Sequence, residues 1–241
     1  MKAVLQIQDL SISFGNNHVL KSLTFDVMPK EVLGVIGPNG AGKTVMLNIL
    51  TGTLQPTKGK IFFQGENITH KSITERCRMG VGRTFQVPRP FEKMTVFENV
   101  IVAGVYGGGL VEKEAQKRAR GIIDKIGLSP KINWFAGKLG LLDRKRLEIG
   151  RALAINPKIL LLDEVAGGLT ESEVVEILGV VQAVKKQGVS VVWIEHVLKT
   201  MREGTDRVLC LAEGRNIVCG LPEEVMSSKE VLDTYLGVDE R

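Results

Sequence analysis

An α/β fold organised on a parallel sheet is what this sequence predicts, and three stretches predict it. Val32-Leu33-Gly34-Val35-Ile36 is an apolar run that leads into a glycine-rich turn, and Val45 to Leu50 leads out of that turn with helix-compatible residues. Ile159-Leu160-Leu161-Leu162 is a second apolar run and ends in Asp163-Glu164. Val189 to Ile194 is a third and ends in Glu195-His196. Continuous apolar runs are the mark of strands covered on both faces, as in a parallel sheet. Ligands of such sheets bind at the carboxyl ends of the strands. The three runs therefore predict one sheet edge that gathers a glycine-rich loop, two carboxylates and a histidine.

The N-terminal region predicts antiparallel sheet. Leu10, Ile12 and Phe14 alternate with serines, and Leu23, Phe25 and Val27 alternate with polar residues. That period of two is the pattern of half-buried strands, and Gly15-Asn16-Asn17 marks the turn between them. Phe14, at the strand end, is placed to stack on a flat ring such as adenine. Thr51-Gly52 ends the helix that follows the glycine-rich turn, and Ile61-Phe62-Phe63 centres another short strand. Ser72-Ile73-Thr74-Glu75 fits a capping box and starts a short helix.

Pro88 and Pro90 break regular structure just after Gln86. From about Phe91 to Arg151 the chain reads as mostly helical, with a loop at Gly107-Gly108-Gly109 and a helix over Glu112 to Ile126. Phe91, Met94 and Phe97, spaced by three, suit either ordinary core or a groove for a partner helix. Thr170-Glu171-Ser172-Glu173 fits another capping box, and Gly188 ends the helix it opens. Val208 to Leu211 and Ile217 to Cys219 read as a hairpin around Glu213-Gly214, followed by one helix from about Glu223 to Leu236.

Chemistry concentrates in the glycine-rich turn, Gly37-Pro38-Asn39-Gly40-Ala41-Gly42-Lys43-Thr44. It matches G-x-x-x-x-G-K-[ST], in strand-turn-helix context. Its glycines let backbone N–H groups converge on phosphate oxygens, and the following helix adds its positive dipole end. Lys43 is placed to reach the β and γ phosphates and Thr44 to ligate Mg²⁺. Asp163, at the same edge, approaches that Mg²⁺. Glu164, one residue on, orients and deprotonates an attacking water. Gln86 offers an amide oxygen to Mg²⁺ or to water, and His196 a hydrogen bond to the γ-phosphate.

Composition agrees with a soluble intracellular protein. Of the 241 residues 44% are apolar, enough for a sizeable core, and no apolar run reaches the length of a membrane span. The N-terminus lacks the pattern of a signal peptide. Three cysteines, Cys77, Cys210 and Cys219, have no metal-ligand spacing and read as reduced thiols. The net charge of +5 comes from scattered lysines and arginines, which argues for a solvated surface and against a nucleic-acid site.

The order P-loop, Gln86, Leu162-Asp163-Glu164, His196 resembles the ATP-binding subunit of ATP-binding cassette (ABC) transporters, over essentially the whole chain. The segments GRTFQ (82–86), MTVFENV (94–100), KRLEIGRALAINPKILLLDE (145–164), WIEHV (193–197) and YLG (235–237) resemble those of branched-chain amino acid importers and the similar amide or urea importers. The resemblance implies one domain, 1–241. Residues 1–86 and 156–241 would form a P-loop nucleotide triphosphate hydrolase core with an N-terminal antiparallel β-subdomain, and about 87–155 an inserted helical subdomain. It implies an ATPase in which Phe14 stacks on adenine and Gly37, Pro38, Asn39, Gly40, Ala41, Gly42, Lys43, Thr44 and Val45 hold ATP. Thr44, Gln86 and Asp163 would surround Mg²⁺, with Glu164, His196 and Lys43 catalytic. It implies partners too: a second ATP-binding subunit, membrane permease subunits docked near Phe91, Met94 and Phe97, and, indirectly, an external solute-binding protein. The subunit would sit on the cytoplasmic face of the membrane.

Four positions depart from the family pattern. The signature loop, usually LSGGQ, is here Leu139-Gly140-Leu141-Leu142-Asp143. Val45 stands for a second hydroxyl residue, Val165 for a proline, and Gly167-Gly168-Leu169-Thr170 for a loop that normally ends in aspartate. These departures suit a heterodimer whose second subunit completes the working site, or a binding module with little turnover of its own. Glu164 argues for turnover. A nucleic-acid ATPase would be expected to carry long coiled coils or basic inserts, which are absent from the sequence, and the segment between Gln86 and Asp163 does not suit a kinase lid.

Overall fold

The computed structural model describes residues 2–236. Gly237, the last residue of the YLG segment, lies outside the described residues.

The first strands, β1 (Leu5–Phe14) and β2 (Asn17–Val27), pair antiparallel, and β4 (Lys58–Phe63) and β5 (Glu66–Asn67) extend the sheet in the order β2-β1-β4-β5. The alternation seen in the sequence slips once in each long strand. Leu5 and Ile7 point inward on β1, then Leu10 and Ile12; the step of three falls at Asp9, whose φ is 50°. On β2, Leu20 and Leu23 flank Ser22 at φ 55° in the same way. The pairing shifts register at these places, and such bulges re-aim side chains without ending the strand.

The second sheet has six strands in the order β10-β9-β3-β8-β7-β6. These are β3 (Val32–Ile36), β6 (Val81–Arg83), β7 (Ile159–Asp163), β8 (Ser190–Ile194), β9 (Arg207–Ala212) and β10 (Arg215–Gly220). All pairs are parallel except the terminal hairpin β9–β10. Each residue of β3, β7 and β8 is buried, because both faces are covered. One face carries Leu33, Val35, Leu161, Val192 and Leu209 against α1 (Lys43–Thr51) and the antiparallel sheet. The other carries Val32, Leu160, Leu162, Val191 and Trp193 against α5 (Leu141–Ala154), α6 (Glu171–Lys186) and α7 (Leu198–Gly204).

Between β6 and β7 lie α2's successors in the chain, α3 (Val96–Val102) and α4 (Glu112–Lys125), which pack on each other and on α5; α2 itself (Ile73–Met79) precedes β6. Capping boxes open α2 at Ser72, α3 at Thr95 and α6 at Thr170, two of them as the sequence predicts. The expected loop at 107–109 begins later than predicted. α3 runs on as a widened π turn over Ala103–Gly107, and a Cβ on Gly107 would stand 2.9 Å from Ile155. These glycines serve close packing on the end of α5, and only Gly109 takes a left-handed φ, 68°. The single C-terminal helix expected is two, α8 (Pro222–Ser227) and α9 (Lys229–Leu236). The break falls at Ser228, whose Oγ accepts the N–H of Val231 at 3.3 Å and so caps the second helix. Among the described residues no helix is long and apolar enough to cross a membrane.

Candidate functional site

Register places the site. Asp163 at the end of β7 pairs with Ile194 at the end of β8, and Ile194 pairs with Val35 on β3. The residues just past these ends, the turn 37–42, Glu164 and His196, therefore share the carboxyl edge of the sheet. Asn39 to Val45, Glu164, His196 and Val19 line one cleft of about 260 Å³.

Two glycines of the turn, Gly37 and Gly42, have no room for a larger residue. Gly37 has φ 147°, and a Cβ there would fall 2.0 Å from the Leu211 carbonyl oxygen. Gly42, at φ 100°, would put its Cβ 2.6 Å from Leu20 Cδ2 on β2. Gly42 is also the N-cap of α1 and supplies no side-chain cap. The first N–H groups of α1 are thus left for a ligand, at the positive end of the helix dipole. Lys43 is buried and curls back, its Nζ donating to the carbonyls of Gly37 at 2.7 Å and Pro38 at 2.9 Å. Burial pulls the Lys43 ammonium below its ordinary pKa, while Glu164 and Asp163 pull it back up.

Glu164 faces this loop. Gln86 Nε2 donates to its Oε2 at 2.5 Å, and His196 Nε2 stands 2.8 Å from its Oε1. The backbone of Glu164 is left-handed, at φ 49°, an uncommon state for a residue with a Cβ. Asp163 lies deeper. Arg83 Nη2 donates to Asp163 Oδ2 at 3.3 Å, while Oδ1 is buried with no hydrogen-bond partner among the described residues. Burial raises the Asp163 carboxyl above the usual range, against the pull of Arg83.

An orphaned carboxylate oxygen inside a protein calls for a cation. Among the described residues no group of three or more His, Cys, Asp or Glu forms a ligand cage. One hydroxyl, Thr44, one amide, Gln86, and one carboxylate, Asp163, are what Mg²⁺ takes when substrate phosphates and water supply the rest. The residues present fit that ion.

Phe14 is half exposed beside the hairpin turn and does not line the cleft, where Val19 of the same hairpin does. Phe91 and Met94 are exposed. Phe97 packs partly against the core with the Arg120 guanidinium 5.1 Å over its ring. A groove of about 230 Å³ runs between α2 and α5, lined by Ile73, Cys77, Phe85 and Arg151 among others. Arg151 stacks on Phe91 at 5.1 Å, which brings that residue to the groove's edge. α5 starts at the altered signature. Gly140 is its N-cap, Leu141 is exposed, and Asp143 turns inward to pair with Lys131 and Arg146.

Four further residues support the site that the sequence pattern does not single out. Arg83 also donates to Asn48 Oδ1 on α1 at 2.6 Å. Thr84 Oγ1 accepts the Asp163 N–H at 3.3 Å. Lys145 Nζ donates to the Glu164 carbonyl at 2.9 Å, and Glu195 Oε1 accepts the Ala166 N–H at 2.6 Å. Arg83 and Thr84 lie within GRTFQ and Glu195 beside His196, so adjacency to a motif was their only signal. Lys145 has none.

Residues 20–167 match the family model described as ABC transporter. The chain is 34% identical over 249 residues to the high-affinity branched-chain amino acid transport ATP-binding protein LivG of Escherichia coli (strain K12), covering 97% of this chain and 98% of the relative. It is 34% identical over 251 residues to BraF of Pseudomonas aeruginosa, described in the same words, covering 98% of each. Its fold superposes with a TM-score of 0.90, at 29% identity, on the ADP conformation of an ATP-binding cassette of an ABC transporter, covering 98% of this chain and 100% of that one.

Proposed function

We propose a mechanism from one premise: this chain belongs to the ABC transporter family and is an ATP-binding subunit that hydrolyses ATP. One observation carries the mechanism. The Glu164 carboxylate, bonded to Gln86 and His196, lines the same cleft as the anion-binding turn.

The triphosphate lies on residues 37–45, where N–H groups of the turn and of the open first turn of α1 take its oxygens. Lys43 exchanges the Gly37 and Pro38 carbonyls for the β and γ phosphates, and Phe14 stacks on the adenine. Val45 has no hydroxyl to add a further contact. Thr44, Gln86 and Asp163 would hold Mg²⁺, which would supply neutralisation of phosphate charge. Glu164 accepts a proton from water as the water oxygen bonds to the γ-phosphorus and the bond to the β–γ bridging oxygen breaks. His196 donates to the γ-phosphate. Positioning and charge supply most of the catalysis.

Residues 1–86 and 156–241 act as the core of this single domain and about 87–155 as its helical subdomain. A second ATP-binding subunit closes head-to-tail on the site and reopens after hydrolysis. The groove beside Arg151 and Phe91, with Met94 and Phe97 near its rim, takes a helix of the permease, which carries the pull of closure. A subunit with no spanning helix among its described residues would reach the cytoplasmic face of the membrane through that permease. The cargo is a branched-chain amino acid, a reading supported by identity over nearly the whole chain to two proteins so described. A solute-binding protein delivers it from outside.

The test is ATP hydrolysis by the wild type and Glu164→Gln, with a nucleotide-binding titration on both. Both should bind ATP, and only the wild type should turn over, by a margin of about 10²- to 10⁴-fold. Equal turnover removes Glu164 as the base. Binding without turnover by either chain makes this a module whose catalysis needs the second subunit.

A further inference from the structure

Just behind Glu164 two charged side chains are buried that the mechanism above does not use. Lys145, on the second turn of α5, is 4% exposed, and Glu195, just past β8, is 1% exposed. Charged residues are almost never buried so completely without a partner. No ion pair within 4.0 Å joins them among the described residues. Both instead hold backbone of the segment that begins at Glu164. Lys145 Nζ donates to the Glu164 carbonyl at 2.9 Å. Glu195 Oε1 accepts the Ala166 N–H at 2.6 Å and is itself fixed by the indole N–H of Trp193 at 3.2 Å. The Glu164 N–H donates to the Ile194 carbonyl at 3.0 Å, and Gly167 N–H to the Glu164 carbonyl at 3.2 Å.

These bonds surround the left-handed backbone of Glu164, φ 49°. Such a conformation persists only where the surroundings over-determine it. Released, residue 164 relaxes toward an ordinary φ, and its Cα–Cβ bond swings the carboxylate away from Gln86, His196 and the turn. We infer that Lys145 and Glu195 are positioning residues: through the Glu164 carbonyl and the Ala166 N–H they clamp the backbone of residues 164–166 and so aim the Glu164 carboxylate at the water it activates. With Glu164 as the base proposed above, the clamp acts on the chemical step and not on nucleotide binding, since neither side chain lines the cleft. Because Lys145 rides on α5, the clamp also makes the aim of Glu164 depend on where α5 sits against the sheet.

The experiment uses the full chain as wild type, Lys145→Met, Lys145→Arg, Glu195→Met and Glu164→Gln. Three quantities are read: kcat and KM for MgATP, the Kd of a fluorescent ATP analogue, and amide hydrogen exchange over residues 164–169 without nucleotide. The two methionine variants should lose about 10- to 100-fold in kcat, the range for residues that support a site from behind. Their KM and Kd should stay within about twofold, and exchange at Ala166 and Gly167 should accelerate. Lys145→Arg, which keeps a cationic donor, should recover most of the loss. If the methionine variants keep wild-type kcat and wild-type exchange while Glu164→Gln is inactive, the clamp is refuted and the base stands. If Glu164→Gln turns over like wild type, the base reading fails, and the exchange measurement still decides the clamp. The same measurement decides it should the isolated chain turn over too slowly to rank. Where a methionine variant fails to fold, Lys145→Gln and Glu195→Gln take its place: the first removes the cationic donor and should speed exchange, whereas the second keeps an acceptor oxygen and should preserve protection at Ala166.

Discussion

Replacing Arg76 by methionine should destabilise this protein far more than replacing a surface arginine would, because one buried guanidinium ties the last turn of α1 to the segment before α2. Arg76 on α2 is fully buried. Its guanidinium donates only to backbone carbonyls: Ile49 at 2.5 Å, Leu50 at 3.0 Å, Thr69 at 2.7 Å and Lys71 at 3.0 Å. Ile49 and Leu50 belong to the last turn of α1, whose carbonyls carry the negative end of the dipole; the Gly52 N–H caps Ile49 as well. Burial pushes the Arg76 pKa down to about 10, against the pull of the Glu75 carboxylate. The desolvation implied is on the order of 3 kcal/mol at about 1.4 kcal/mol per tenfold change in proton affinity. Against it stand four hydrogen bonds from a charged donor, each worth about 1.5–3 kcal/mol. Methionine fills much of the volume but strips the carbonyls of Leu50, Thr69 and Lys71 of the guanidinium, while Ile49 keeps the Gly52 N–H. The net loss should be about 3–5 kcal/mol, from buried carbonyls left unsatisfied at about 1–3 kcal/mol each, less the desolvation of the guanidinium that is recovered. At about 2–4 °C per kcal/mol for a chain of this size, the melting temperature should fall by roughly 6–20 °C. Lysine, which reaches fewer of the carbonyls, should fall between. The assay is urea and thermal unfolding, with ATP binding measured well below the melting point, where Kd should hardly change because Gly42 and Leu20 fix the other end of α1 independently. A melting temperature within about 2 °C of wild type would refute Arg76 as the staple of this helix.

Phe14→Ala should weaken ATP binding by about 1–2 kcal/mol, roughly five- to thirty-fold, if the ring stacks on the base. It should leave competition by inorganic triphosphate untouched, and an unchanged ATP Kd would remove Phe14 from the site. Glu195 gives a pH prediction. Burial holds its carboxyl above the usual range, Lys145 pulling the other way. The folded state therefore binds this proton more tightly than the unfolded chain does. The resulting stability is complete below about pH 4.5 and is lost as pH rises through the higher folded value. Glu195→Gln cannot ionise, so its stability relative to wild type should grow from about pH 4.5 upward and then level off. Urea midpoints of both proteins across pH 4.5–8 measure this, and a flat difference would contradict it.

What was legible in the sequence is what short contiguous patterns encode. The glycine-rich turn, Asp163-Glu164 and His196 each follow directly on a buried apolar run, so local sequence and chemistry point to the same sheet edge. The core could be assigned by periodicity except where the backbone steps out of period. Asp9 and Ser22 at positive φ shift β1 and β2 by one residue, and neither looks unlike a surface residue until the strands are paired. Ser228 splits the C-terminal helix through a cap that a helical pattern alone does not show. Lys145 sits inside Arg144-Lys145-Arg146, a run that reads as solvated charge. It is buried because its partner is a backbone carbonyl, and a carbonyl leaves no mark in a sequence.

The two loops that depart most from the family pattern meet in space. Leu141 Cδ2 lies 3.3 Å from where a Cβ on Gly168 would stand, and Gly168 is left-handed at φ 76°. The leucine that replaces a signature glycine thus rests on a glycine of the loop that lacks its usual aspartate. One turn further along α5, Lys145 holds the Glu164 carbonyl, and Asp143 between them is tied to Lys131 and Arg146. The first two turns of α5 and residues 164–168 therefore behave as one packed unit. The glycine at 168 leaves room for the Leu141 side chain, so the two loops pack against each other. The chemistry this costs is specific. With no hydroxyl at the start of α5 and leucine in its first turn, that helix end offers backbone N–H groups alone to a phosphate across a dimer interface. The cleft that contains Lys43, Glu164 and His196 is assembled from other residues and lacks only the hydroxyl that Val45 does not supply. The second ATP-binding subunit proposed above, if different from this chain, would bring its own signature loop to that cleft.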